Sequence, residues 1–204
     1  MGEVTKSDRR TATREPYATR ADFQRIFSED VNSLYLLSLL LTGSSDKAED
    51  CFVGGIGEAI KGNYVFKEWA RSWARRTIVQ SAIRLIAPLN YTRPEDRKID
   101  VARDLDRVPA MLHAEVRAIL ALASRERFAF VLSILERYSD NDCSILLGCG
   151  RRDVITFRTR AMQQLGTFLS SQSAIESSSE SLMVSEKIAM ITTPLTAQYF
   201  AAPG

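Results

Sequence analysis

A chain of 204 residues, 45% hydrophobic and 25% charged, has ordinary globular composition; it can bury a core in one or two small domains, and wholesale disorder is excluded. Its formal net charge of +2 is too small to argue by itself for a polyanionic partner. Three cysteines without a CxxC pair, and the single histidine His113, fall short of the clustered ligands of a structural zinc site, so neither metal nor cofactor is expected. Cys51, Cys143 and Cys149 read as reduced, mostly buried small hydrophobes, which fits a cytoplasmic protein.

Residues 1–19 are polar and Arg-rich, lack the apolar core of a secretion signal, and read as a flexible basic arm. From Asp22 a helical period sets in: Phe23, Ile26, Phe27, Val31, Leu34, Leu37 and Leu41 recur at three- and four-residue steps, and Thr42-Gly43 closes this single predicted helix. The longest apolar stretch, Leu34–Leu41, is interrupted by Ser38 and is too short to cross a bilayer, so no membrane partner is expected. Ser45 or Asp46 caps a second helix near 46–60. Gly54, Gly55 and Gly57 weaken it by up to about 1 kcal/mol each relative to alanine. A third helix is predicted over 66–86, with Phe66, Trp69, Ala70, Trp73, Ala74, Thr77 and Leu85 on its apolar face and Pro88 as its stop. Lys67, Arg71 and Arg75 form a cationic stripe along it, with Arg76 further round, and such a stripe suits phosphate neutralisation. Trp69 and Trp73 suit stacking on unpaired bases and suit a buried face equally; the plainer reading, core, is preferred. Residues 87–108 are polar, hold Pro88 and Pro94, and read as an interdomain linker.

A second helical set follows. Pro109 opens a helix to about Leu122, Ser124 caps the next over Arg125–Arg137, and Ser139 caps Asp140–Leu147, which Gly148 ends. The turn Gly148-Cys149-Gly150 leads into a basic helix over 151–169. Beyond it the serine-rich stretch of 170–204 reads as a disordered tail. The expected fold is therefore all-α: helical domains at 20–86 and 109–169, joined by a linker. His113 reads as a helix-face residue. Gly54-Gly55-Ile56-Gly57 lacks the lysine and strand of a phosphate loop, and no Ser–His or Cys–His signature supplies a nucleophile, so no enzyme is expected.

Residues 138–169 carry the strongest functional signal. Two helices joined by a short glycine-containing turn, the second longer and basic, are the layout of a helix-turn-helix. At 100° per residue, Val154, Phe157, Ala161, Leu165 and Phe168 fall on one side of the second helix. Arg152, Thr156, Thr159 and Gln163 fall opposite, flanked by Ile155 and Arg160. This is a set suited to base edges in a major groove, and Arg151 at the helix start is placed for a phosphate.

Leu122–Leu165 resembles region four of the extracytoplasmic-function sigma factors. Tyr138-Ser139, Asp142, Leu146-Leu147-Gly148, Val154 and Arg160-Ala161 with Leu165 stand in step with that family's pattern without a gap. Asp22–Asp50 resembles the opening of sigma region two through its aromatic pair, Leu34-Tyr35, Leu41-Thr42-Gly43 and Ala48-Glu49-Asp50. Phe66–Arg84 is similar to the helix with which that family reads the downstream promoter element. The resemblance implies a factor that directs core RNA polymerase to duplex promoter DNA and answers to an anti-sigma partner. It also implies that Asp46, Glu49 and Asp50 face the polymerase. Two departures stand out: Cys51-Phe52-Val53-Gly54-Gly55 replaces an acidic and amide-bearing segment, and Ile155-Thr156-Phe157 replaces a lysine, serine, arginine run. They keep two alternatives open. One is a diverged sigma-like DNA-binding or anti-sigma-binding regulator that no longer engages polymerase. The other is a plain helix-turn-helix regulator with an unrelated N-terminal domain.

Overall fold

The computed structural model describes residues 16–61, 64–88, 105–168, 170 and 171. Expectations for residues 1–15, for 89–104 of the linker and for 172–204 lie outside them. The chain divides into two compact units, Met1–Ala87 and Pro88–Gly204. Regular structure among the described residues is helical, which makes the protein all-α; the extended pairing there is one isolated bridge between Tyr17 and Phe66.

In the first unit the predicted opening helix is two helices, α1 (Arg20–Glu29) and α2 (Val31–Thr42), broken at Asp30 with φ −101° and ψ 16°. The period of apolar residues runs through the break, but the two segments bury different fractions of their surface. α1 inserts only Phe23, Ile26 and Phe27, whereas α2 buries Leu34, Tyr35 and all six residues from Leu37 to Thr42. The chain bends where a one-sided helix becomes a nearly all-round buried one. Thr19 starts α1 with a capping box: its hydroxyl accepts from the Asp22 N–H at 3.2 Å, and its own N–H donates to Asp22 Oδ2 at 2.9 Å. Gly43, at φ 82°, closes α2. Residues 16–18, expected at the end of a free arm, instead pair with the chain before the fourth helix: Ala18 N–H donates to the Val65 carbonyl at 2.7 Å, and Lys67 N–H to the Pro16 carbonyl at 2.9 Å.

The glycines of α3 (Ser45–Ile60) have a packing reason. α4 (Ala70–Ile86) comes so close that a Cβ on Gly55 would sit 2.4 Å from Ile78 Cδ1, and one on Gly54 would sit 2.6 Å from Ser81 Oγ. Helix propensity is given up there for backbone approach. The expectation that one helix spans 66–86 with Phe66, Trp69 and Leu85 buried is corrected. Lys67–Trp69 is a 3₁₀ turn, and α4 starts only at Ala70. Phe66, Trp69 and Leu85 are exposed, Trp69 at 60%. Phe66 is extended (φ −62°, ψ 143°), so the 100° projection does not apply to it. Trp73 is half-buried.

In the second unit Leu105 (2% exposed) and Val108 are core residues, so the expected linker ends before them. His113 is half-buried, its Nε2 lying 2.7 Å from the Val108 carbonyl. A 3₁₀ turn, Ala110–Leu112, leads into α5 (His113–Leu120). α6 (Ser124–Phe130) is preceded by Ala123 as cap residue rather than by Ser124, and it runs into a π-helical stretch, Val131–Leu135. The expected continuous helix to Arg137 is thus interrupted. Glu136 N–H reaches back to the Val131 carbonyl, and left-handed Arg137 (φ 58°) lets Tyr138 N–H reach that of Leu132. Arg127 is buried, and its Nη1 donates to the Leu122 carbonyl at 3.1 Å, placing a cation on carbonyls that follow α5. Phe128, Val131, Leu132, Cys143, Leu147, Val154 and Ala161 fill the core beneath α7 (Asp140–Leu147) and the last helix, α8 (151–168, with 170 and 171 also helical). No helix among the described residues is long and apolar enough to cross a membrane.

Candidate nucleic-acid interface

The turn between α7 and α8 is fixed by local chemistry. Ser139 caps α7, its hydroxyl accepting from the Asp142 N–H at 3.1 Å and donating to Asp142 Oδ2 at 2.6 Å. Gly148, at φ 69°, takes the left-handed cap that ends α7. Gly150 then starts α8: its carbonyl accepts from the N–H groups of Asp153 and Val154, and its own N–H donates to Asp153 Oδ2 at 3.0 Å. A partly buried ion pair between Arg158 of α8 and Asp140 at the head of α7 ties the two helices across the turn. Nothing in the local sequence pattern singled out that pair, because the partners are 18 residues apart.

α8 divides as its sequence predicts. Val154, Ala161 and Leu165 are buried, and Phe157 and Phe168 are half-buried. Arg151, Arg152, Ile155, Thr156, Thr159, Arg160 and Gln163 are all exposed. Among the described residues, Arg151, Arg152 and Arg160 have no ion-pair partner. The Thr156 hydroxyl donates to the Arg152 carbonyl at 2.8 Å, so it presents its methyl group and oxygen lone pairs outward. Arg151 and Arg152 occupy the first turn of α8, where the helix dipole disfavours cations and favours an anion. Burial pushes the Cys143 thiol up to about 11, with Asp140 and Asp142 adding to it, and burial also raises Cys149. Neither offers a thiolate near neutral pH. No group of three His, Cys, Asp or Glu side chains among the described residues is placed to hold a metal.

The cationic stripe of the first unit is disposed differently. Lys67 Nζ lies 3.8 Å from Asp22 Oδ2, Arg71 reaches Glu29 Oε2 at 2.5 Å and also pairs with Asp30, and Arg75 donates to Ser33 Oγ at 3.0 Å. Arg76 is exposed and makes no ion pair among the described residues. The stripe thus lies against α1 and the start of α2, and three of its four members have donors engaged there. Asp22 is held below the ordinary carboxylate range, first by the Thr19 N–H and hydroxyl and then by Lys67 and Arg25.

Asp46, Glu49 and Asp50 are exposed on α3 at a spacing that puts them on one side. The next residues point inward: Cys51 is buried, and Phe52 meets Phe27 and Tyr35 edge-on at ring distances of 5.7 and 6.5 Å. Sequence reasoning missed a chain of surface rings: Tyr17 stacks on Phe66 at 5.0 Å, with Tyr64 and Trp69 edge-on to it on either side. The density of aromatics over 64–69, just before α4, was the available signal. No family model matches the chain, and no curated protein matches it.

Proposed function

We propose that this protein is a sigma-like factor, acting in the cytoplasm without catalysis or cofactor, that binds duplex promoter DNA through α8 and brings core RNA polymerase to the start site. One observation carries the DNA reading: the exposed side of α8 concentrates Arg152, Thr156, Thr159, Arg160 and Gln163, while its apolar side is buried. Two arginines in the first helical turn, without an ion-pair partner among the described residues, support it, because the dipole makes that position costly for a cation until an anion arrives. The resemblance to sigma regions two and four, in the right order along the chain, supports the polymerase part. Asp46, Glu49 and Asp50 stand exposed on α3 for that partner.

A second reading, a sigma-like regulator that binds DNA or an anti-sigma partner without engaging polymerase, is favoured by a separate observation. The segment after Asp50 is given over to internal packing through Cys51, Phe52, Gly54 and Gly55.

Arg152→Ala with Arg160→Ala separates the DNA claim from both. Duplex affinity, measured by fluorescence anisotropy across a salt series, is expected to drop, with a log–log salt slope shallower by about two. An unchanged slope rejects the assigned face. Run-off transcription with core enzyme then divides the two readings: promoter-dependent transcripts support the first, and DNA binding with no transcript and no capture of core enzyme supports the second.

A further inference from the structure

Six of the seven exposed side chains assigned to α8 are cationic or hydrogen-bonding; the seventh is Ile155, 42% exposed. Its helical neighbours at three and four residues are Arg151, Arg152, Arg158 and Thr159, all polar and three of them exposed, so it does not continue the buried seam of Val154, Ala161 and Leu165. Isoleucine is a poorer helix former than lysine or glutamate. It does bring a branched apolar surface held in nearly one rotamer, which loses little freedom when another surface covers it. The Thr156 side chain beside it adds a second methyl group, because its hydroxyl is tied to the Arg152 carbonyl.

We infer that Ile155 is a sequence-reading residue that contacts the C5-methyl group of a thymine in the major groove, with the Thr156 methyl alongside. The inference rests on the proposal that α8 binds duplex DNA. The thymine methyl is the one apolar group that the major-groove edges of the four base pairs present. An apolar side chain with Arg151 and Arg152 on either side of it, one turn earlier on the helix, matches a methyl group lying between two phosphate-lined strands. An apolar protein partner would have to cover those arginines as well, leaving charge buried without a counterpart.

Selection of the full chain on a random duplex pool gives its preferred site, and each thymine there is then replaced by deoxyuridine. That change removes the methyl group and leaves base pairing intact. One or two positions are expected to lose about threefold to fivefold in affinity, the scale of one buried methyl. Ile155→Ala is expected to lose a similar factor on the thymine site and to show no further loss on deoxyuridine. Ile155→Val retains most of the effect. A helical signal equal to wild type controls for folding, since alanine favours the helix. The inference is overturned if deoxyuridine is tolerated at every position, or if its penalty persists undiminished in Ile155→Ala. In both cases salt-dependent duplex binding survives. If wild type shows neither duplex binding nor a salt slope, the DNA reading itself fails and this inference falls with it.

Discussion

α4 and α8 carry the same kind of charge and dispose of it in opposite ways. On α4 and the 3₁₀ turn before it, Lys67 and Arg71 meet Asp22, Glu29 and Asp30 of the neighbouring elements, and Arg75 meets Ser33. On α8, Arg151, Arg152 and Arg160 point outward without a carboxylate among the described residues, and only Arg158 is spent on an internal partner, Asp140. A stripe of cations on a helix therefore says little until the elements packed beside it are known. Carboxylates on an adjacent helix occupy the donors that a phosphate would need, and a phosphate must displace them. Exposed pairs of this kind add little to stability, so their main effect is on what the surface can bind.

The largest expected effect tests that contrast directly. Arg152→Ala with Arg160→Ala is expected to lower duplex affinity about tenfold or more at physiological salt. Lys67→Ala with Arg71→Ala is expected to leave affinity within about twofold and the salt slope unchanged, because those cations are already neutralised. Equal losses for the two pairs in the same anisotropy titration would erase the distinction between the helices.

A smaller effect comes from the element that supplies the carboxylates. Thr19→Ala removes the cap that positions α1 and releases Asp22, at a cost of about 1 kcal/mol in chemical denaturation. The sign with pH follows from the lowered Asp22 pKa. Its ionised form is favoured in the fold, so its contribution is present above the ordinary carboxylate range and is lost as the pH falls through the depressed folded value. Wild type and Thr19→Ala should therefore converge in acid. A gap that widens there would mean that the capping box is not what stabilises α1.

The apolar period made much of the fold legible. The caps at Gly43, Ser139 and Gly148, and both faces of α8, follow from residues within one or two turns of each other. What stayed hidden depended on partners far along the chain. The break at Asp30 carries no glycine or proline, and Arg71 grips it from 41 residues away. Gly54 and Gly55 look like weaknesses of α3 until Ile78 and Ser81 arrive against them. Phe66 and Trp69 fall on a buried face only if the helix begins at Phe66, four residues before α4 does. The candidate site fared the same way: α8 was readable from its own sequence, whereas the engagement of Lys67, Arg71 and Arg75 required the fold.

The smallest effect is the one that would turn α4 into a second α8. Glu29→Gln with Asp30→Asn keeps the shape of both side chains and removes two negative charges, taking the formal net charge from +2 to +4 by simple subtraction. The Arg71 guanidinium then has amide oxygens rather than carboxylates beside it, and a phosphate can outcompete them. Duplex affinity at low salt is expected to rise about threefold, with a salt slope steeper by up to about one. A general rise in positive charge would also increase non-specific binding, so the informative control is the triple variant that adds Arg71→Ala. If the gain disappears in the triple variant, it belongs to the released guanidinium, and the carboxylates of α1 are what keep this stripe from DNA. If the gain is the same with and without Arg71, it reflects net charge alone, and the pairing seen on α4 has no bearing on which helix holds nucleic acid.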